Sequence, residues 1–339
     1  MQSLDILLSS VAARHFRDEI ARTLDASPDR LPHRLLTPDD GACGDAQIAF
    51  VSRDVTGRST KHELTDETRR FYDAMLEAPR LRWVHAHSAG VDRPVYLELL
   101  RRGVRVTTSS GANARTVAHA ALAGLLALAR RLPLLYDAQR DHAWRPLLAQ
   151  AAPRDLGGQT AVIVGYGAIG QKIAKLLDAL EMNVVVVRRT AHVDGDANTS
   201  SRMVAFDALD SVLRQADWLV LACPLTAETT RLIDAKRLSR LPPGAQLVNI
   251  ARGEIVVEPD LIAALRDNTL AGAYLDVFAH EPLNPTSALW DLPNVIVTPH
   301  TAGQSDSHFE AVGRIWLDNL ARWSRGESLV NEVDARPGR

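Results

Sequence analysis

The sequence predicts an α/β protein built from two doubly wound parallel-sheet domains, and three observations carry that expectation. The chain has 339 residues, more than the roughly 250–300 at which a single hydrophobic core stops growing. Residues 1–110 alternate short aliphatic runs with amphipathic stretches. From Thr160 the pattern changes to near-continuous apolar runs, "AVIV", "VVVV", "WLVLA", "LVNI", "AYLDV" and "VIVT", each followed by a helix or turn. Strands of that kind are covered on both faces.

In the first part Leu4–Leu8, Ile48–Val51, Trp83–Ala86 and Val104–Thr107 read as strands. Ala12–Leu24, Asp66–Glu77 and Pro94–Arg101 read as helices, with Pro94 in a first turn where its missing N–H is harmless. A loop, "TSSGANART", leads into an Ala/Leu helix over Asn113–Arg131. Tyr136–Arg154 is polar and broken by prolines, and is expected to form an irregular connecting arm. Gln171–Leu180 and Asp306–Ser324 read as further helices, and the final "DARPGR" as a frayed, solvated end.

Composition narrows the function classes. Hydrophobic residues at 46% and charged residues at 24% describe an ordinary globular chain. A formal net charge of −2 supplies no field to draw in nucleic acid or an anionic membrane, so neither is an expected partner. Cys43 and Cys223 form no C-x-x-C pair, which argues against a zinc site or disulfide scaffold and fits a reducing compartment. The N-terminus "MQSLDILLSS" has no basic segment and carries Asp5. The longest apolar run, Val117–Ala129, contains His119 and is too short to span a bilayer. A cytoplasmic location is therefore expected.

The segment "AVIVGYGAIG" places Gly165, Gly167 and Gly170 in a G-x-G-x-x-G directly after an aliphatic strand and before a helix. In such a motif the first glycine permits a tight turn and the second lets the backbone approach a pyrophosphate. The third lets helix and strand pack closely, and the helix N-terminus, here Ala168 and Ile169, offers N–H groups to the anion. A dinucleotide is thus the expected cofactor. In NAD-type sites an acidic residue about 20 residues beyond the motif holds the adenosine ribose. Here the second strand ends in Arg188, Arg189 and Thr190, without a carboxylate. Guanidinium groups suit a 2′-phosphate, so NADP is the expected preference, with NAD accepted as second choice.

Three charged residues follow apolar strands of this same region: Arg252 in "NIARGE", Glu281 in "DVFAHEP" and His300 in "VTPHTAG". Ligands bind outside the carboxyl ends of strands in such sheets, so the three can converge. Together they suit reduction of a 2-keto acid. Arginine forks onto the substrate carboxylate, histidine donates a proton as hydride arrives, and a carboxylate favours and orients the imidazolium. No metal is required, and no ligand set for one is visible.

In these contexts Arg252, Glu281 and His300 resemble the Arg–Glu–His triad of the D-isomer-specific 2-hydroxyacid dehydrogenases. The similarity extends through "SAGVD" (Ser88–Asp92), "RDLGGQTAVIVGYGAIG", "CPLTAETT" (Cys223–Thr230), "NIARGE" and "ALWDLPNVIVTPHTAG". The resemblance implies a Rossmann cofactor domain (111–300) inserted into a flavodoxin-like substrate domain (1–110 with 301–330), a tail at 331–339, and a homodimer paired largely through the cofactor domain. It implies that the Ala89 and Gly90 amides, with Arg252 and His300, meet the substrate. Pro224, Thr229 and Ala251 would line the cofactor crevice, and Asp276 would lie near the nicotinamide carboxamide. Within the family, "RVTTSSGANARTVAHAALAGLLALARR" and "VVVVRRT" look most like the glyoxylate/hydroxypyruvate reductases. Formate dehydrogenases carry glutamine at the position of Glu281, which sets them apart. Where the family writes Val-Ala-Glu this chain has His119, read as a local helix or interface residue rather than a catalytic one.

The expected activity is therefore reduction of a small 2-keto acid by NAD(P)H. The alternatives are a cofactor-sensing, corepressor-like protein, or the same fold acting on a bulkier 2-keto acid or on phosphite. His85 and His87 read as a buried structural pair, since no third metal ligand accompanies them. Cys223 reads as a small buried apolar residue near the cofactor crevice. Trp144 and Trp290 read as packing or interface residues.

Overall fold

The computed structural model describes residues 3–28, 30–41, 43–149, 152–189 and 201–334. Two compact units form, one from Met1–Asn113 with Ser305–Arg339 and one from Ala114–Gln304.

The first unit holds β1 (Leu4–Leu7), β2 (His33–Leu36), β3 (Ile48–Val51), β4 (Trp83–Ala86) and β5 (Arg105–Thr108) in the order β2-β1-β3-β4-β5. All four pairings are parallel. The period-2 alternation of strand side chains divides the sheet cleanly. Leu7, Ala49, Val51, Val84, Ala86 and Val106 enter one core. Leu4, Ile6, Leu8, Ile48, Phe50 and Trp83 enter the other. The helix His308–Ser324 covers that second face: Trp316 stacks on Phe50 at 4.6 Å between ring centroids. A Cβ on Gly313 would overlap the Phe16 ring, so the small residue is what allows this close crossing.

The second unit holds β6 (Thr160–Val164), β7 (Asn183–Arg188), β8 (Arg202–Ala205), β9 (Trp218–Leu221), β10 (Gln246–Asn249), β11 (Gly272–Leu275) and β12 (Val295–Val297). Their order, β12-β11-β10-β9-β6-β7-β8, is again all parallel. Counted from β6 this is the 3-2-1-4-5-6 order of dinucleotide-binding sheets with one strand added. Val162, Val164, Leu219 and Leu221 face one core, and Ala161, Ile163, Trp218 and Val220 the other. Two buried faces explain why these strands read as unbroken apolar runs.

The structure departs from expectation in several places. Ala12–Leu24 is two helices, Ser10–His15 and Arg17–Asp25, hinged at Phe16, whose ring is buried. The strands β2 and β8 lie at sheet edges, where half-exposed sequences such as "HRLL" and "RMVA" carry little apolar signal. The connecting arm is not irregular throughout, because Leu132–Arg140 is helical with Pro133 in its first turn. The long helix ends at Ala129, and Arg131 adopts a left-handed φ of 53° before the chain resumes. Within the expected tail, Val333 N–H donates to Val106 at 2.8 Å and Glu332 pairs with Arg105 at 2.6 Å, which ties the segment to β5. Of the "DARPGR" end, residues 335–339 lie outside the described residues. Among the described residues no single helix is long and apolar enough to cross a membrane.

Candidate active site

The glycine motif occupies the loop from β6 into the helix Ala168–Asp178. Gly165 has φ +108°, and a Cβ there would lie 2.6 Å from the Ala222 carbonyl oxygen. At Gly170 a Cβ would overlap the Gly165 carbonyl oxygen, so both positions demand glycine for the chain's own packing. Gly167 is different: a Cβ there would meet nothing within 4 Å. It is the helix N-cap, and no side chain caps the helix. The first-turn amides, Ala168 and Ile169 among them, thus carry no side-chain cap, and the open backbone at Gly167 together with the positive end of the helix dipole suits a pyrophosphate. The residues present fit a dinucleotide.

At the end of β7, Arg188 is half-buried with its guanidinium 5.9 Å from the centre of the Tyr166 ring, while Arg189 is exposed. Thr190 lies outside the described residues. In the loop after β9, Thr229 is buried and its hydroxyl donates to the Pro224 carbonyl at 2.7 Å, closing that loop on itself. Cys223 beside it is buried, which pushes its thiol up to about 12 and makes it inert.

The three charged residues of the sequence pattern come from adjacent strand ends. Arg252 follows β10, Glu281 follows β11 and His300 follows β12. His300 Nδ1 lies 2.8 Å from Glu281 Oε2, with the carboxylate 15% and the imidazole 49% exposed. Glu281 Oε1 accepts from the Phe278 N–H at 3.1 Å. Burial alone raises the Glu281 carboxyl. The bond and charge of His300, the Phe278 N–H and the charge of Arg252 outweigh it, leaving the group below the usual carboxylate range. An ionised carboxylate only accepts, so Nδ1 carries the proton in this bond and Nε2 is left for another partner. His300 adopts a left-handed φ of 51°, with its N–H donating to the Asp276 carbonyl at 2.8 Å. A non-glycine residue in that region is held there by its surroundings.

What holds it is Asp276, only 1% exposed. Its carboxylate accepts from the Thr298 hydroxyl at 2.6 Å and from the Thr301 and Ala302 amides at 2.8 and 3.0 Å. Asn249 does the same for the arginine loop. Its side chain accepts from Ala251 N–H at 3.1 Å and donates to the Arg252 carbonyl at 3.0 Å. Arg252 Nη1 in turn donates to the Ala251 carbonyl at 2.7 Å. In sequence Asn249 reads only as part of the strand "LVNI". A buried asparagine closing an apolar strand was the available signal, because such a group must find partners.

Gly253 sets the spacing between the two loops. A Cβ there would overlap the Phe278 carbonyl carbon and the Ala279 nitrogen, both backbone atoms that cannot swing away. Gly253→Ala is expected to cost about 1–3 kcal/mol of stability, as overpacking does, and to lower kcat/KM by shifting Arg252. Urea unfolding together with initial rates checks this. Parent-like values in both would mean the loops have slack.

Ala89 and Gly90 belong to the first unit, in the turn after β4. Ala89 is exposed, and Ser88 donates to the Gly90 carbonyl at 2.6 Å. His85 is fully buried with both ring nitrogens partnered, by Thr107 at 2.7 Å and Ser109 at 2.9 Å, and burial pushes it down to about 3. It is a neutral structural group. His119 lies on the exposed side of the helix Ala114–Ala129. Trp290 donates its indole N–H to Asn284, whereas Trp144 is 97% exposed and so does not pack within the chain. Among the described residues no group of acidic, histidine and cysteine side chains could hold a metal.

An uncapped helix behind an open glycine loop, with an arginine and a carboxylate-bound histidine at neighbouring strand ends, defines a nicotinamide-dependent oxidoreductase. Residues 122–302 match the family model for the D-isomer specific 2-hydroxyacid dehydrogenase, NAD binding domain. The chain is 36% identical over 263 residues to a glyoxylate reductase of Pyrococcus furiosus, covering 75% of this chain and 77% of that protein. A crystal structure of a D-isomer specific 2-hydroxyacid dehydrogenase family protein from Aeromonas salmonicida superposes with a TM-score of 0.78 at 29% identity, covering 99% of this chain and 100% of the other. A D-isomer specific 2-hydroxyacid dehydrogenase from Xanthobacter autotrophicus, in complex with NADPH and MES, gives 0.72 at 30% identity and covers 99% of each chain. The chain belongs to the D-isomer specific 2-hydroxyacid dehydrogenase family and is an NAD(P)-dependent 2-keto acid reductase.

Proposed function

We propose that the protein reduces a 2-keto acid of glyoxylate or hydroxypyruvate size to the D-2-hydroxy acid, with NADPH as the preferred reductant. The observation that carries this reading is the bond from His300 Nδ1 to Glu281, which leaves Nε2 to hold the transferable proton in the imidazolium form. Arg252 holds the substrate carboxylate through its guanidinium fork. His300 gives the Nε2 proton to the carbonyl oxygen as negative charge develops there, and Glu281 stabilises the imidazolium before the transfer. A bound reduced nicotinamide would supply the hydride for the carbonyl carbon. Protonation at oxygen and hydride addition at carbon together balance the reduction. Pro224, Thr229 and Ala251 line the cofactor crevice. The active species is a homodimer in the cytoplasm.

The glyoxylate reductase of Pyrococcus furiosus supports the substrate class, and the NADPH held by the Xanthobacter protein supports the cofactor. In this chain the support is Arg188 and Arg189 at the end of β7, where a carboxylate would repel a 2′-phosphate. The test is kcat/KM for both reduced cofactors at one ionic strength with glyoxylate, hydroxypyruvate and bulkier 2-keto acids. NADPH is expected to lead, and Arg188→Asp to move selectivity toward NADH. A tenfold preference for NADH in the parent chain would sink the cofactor reading. Failure to turn over any 2-keto acid would favour a cofactor-sensing protein.

A further inference from the structure

The first unit has a second cationic cluster, which contains none of Arg252, Glu281 and His300. In the order β2-β1-β3-β4-β5, the connections leave in opposite directions from β1 and β3, which makes the carboxyl ends of those strands the switch point where such sheets bind ligands. Arg53 stands two residues beyond β3, His87 directly beyond β4, and His308 opens the helix His308–Ser324. The imidazoles of His87 and His308 meet edge to face at 5.9 Å. His87 is 7% exposed, with Nε2 2.9 Å from the Thr56 hydroxyl, while its Nδ1 and that of His308 are buried without a hydrogen-bond partner.

Arg53 is half-buried, and among the described residues its guanidinium has no carboxylate or hydrogen-bond acceptor. The nearby charges do not compensate it. Asp54 accepts from Ser52 at 2.5 Å, and Asp92 faces Lys61 at 3.6 Å. Arg93 is a second cation, held by the Tyr72 hydroxyl at 3.2 Å and the Ser59 carbonyl at 2.6 Å. Burial and then Arg93 lower Arg53. Burial and then Arg53 lower both His87 and His308, and further cations and His85 add to the effect at His87. Each group is disfavoured by its neighbours' positive charge. A desolvated cation with no counter-charge is costly to maintain unless something supplies one.

We propose that the carboxyl end of the first unit's sheet is an anion-binding site centred on Arg53 and flanked by His87 and His308, and that it takes a small carboxylate or oxyanion. Such a group accepts bidentate hydrogen bonds from the free guanidinium and cancels the charge that acts on both imidazoles. The anion has two possible sources: the distal end of a dicarboxylic 2-keto acid, or a free inorganic oxyanion. The site itself does not depend on the reductase reading, because binding is read without turnover.

The test titrates sulfate into the full-length, ¹⁵N-histidine-labelled chain saturated with oxidised cofactor. Imidazole signals are assigned through His87→Gln and His308→Gln. Sulfate is expected to shift both signals saturably, with binding at least tenfold weaker in Arg53→Met and partly restored in Arg53→Lys. Arg53→Gln replaces Arg53→Met if the latter does not keep the parent Tm. Absence of a saturable shift in the parent chain, or an equal shift in a folded Arg53→Met chain, overturns the proposal. A tenfold fall in the ratio of kcat/KM for 2-oxoglutarate over pyruvate in Arg53→Met assigns the anion to the substrate. Loss of sulfate binding with that ratio unchanged assigns it to a free oxyanion.

Discussion

Replacing His300 with Asn lowers kcat for 2-keto acid reduction by about 10²–10⁴-fold, the range spanned by a positioned proton donor, and leaves the fold intact. The side chain is half exposed and, among the described residues, its hydrogen bond is to Glu281 alone, so little packing is lost with the imidazole. The loop itself is held by Asp276 through Thr298, Thr301 and Ala302, none of which involves the ring. Near-UV circular dichroism and Tm should therefore match the parent while turnover collapses. In Glu281→Gln the charge that favours an imidazolium is gone, and reductive activity is expected to fail at lower pH than in the parent. Glu281 is held below the usual carboxylate range when folded. Its ionised form thus stabilises the native chain above the ordinary glutamate pKa of about 4.3, and that contribution disappears as pH falls through the lower folded value. Glu281→Gln removes this acid dependence, which urea unfolding between pH 3 and pH 6 can follow. A His300→Asn chain within threefold of the parent would take the imidazole out of the reaction.

Much of this architecture was legible because the second sheet is buried on both faces. Strands such as "AVIV" and "VVVV" cannot be surface segments, and their position before a glycine loop or a charged residue points to the crevice side. The edge strands β2 and β8 were not legible, since one neighbour and partial exposure leave mixed sequences like "HRLL". The run Ala12–Leu24 reads as one amphipathic helix, whereas the Phe16 ring is the buried pivot between two. The triad could be read from residue type and strand order. The supports of the triad could not, because the roles of Asn249 and Asp276 depend on which loop amides they reach. The family resemblance places Asp276 near the nicotinamide carboxamide, and what the sequence does not show is that its buried carboxylate is shared among three donors of the His300 loop. Arg53 and His308 escaped for a different reason: 255 positions separate them in the sequence, and only the helix His308–Ser324 returning to the first sheet brings them into one neighbourhood.

Arg252→Ala is expected to reduce kcat/KM by about 2–5 kcal/mol in transition-state terms, roughly 30-fold to several-thousandfold. The guanidinium is half-buried, steadied by its own bond to the Ala251 carbonyl and by Asn249 beneath the loop. Its fork is therefore pre-set for a planar carboxylate, and little side-chain freedom remains to be lost on binding. Arg252→Lys keeps the charge but loses the second donor and the planar geometry, so it should recover only part of the loss. The same arginine lowers the Glu281 carboxyl, against burial that raises it. With that charge removed, burial counts for more, Glu281 becomes protonated at higher pH, and the acid limb of the kcat/KM profile moves upward in Arg252→Ala but not in Arg252→Lys. A loss confined to KM would mean that Arg252 binds substrate and transition state equally, while losses in both KM and kcat place it on the developing charge as well. Full recovery by lysine, with parent-like kcat and KM, would show that the charge alone matters and that the fork contributes nothing.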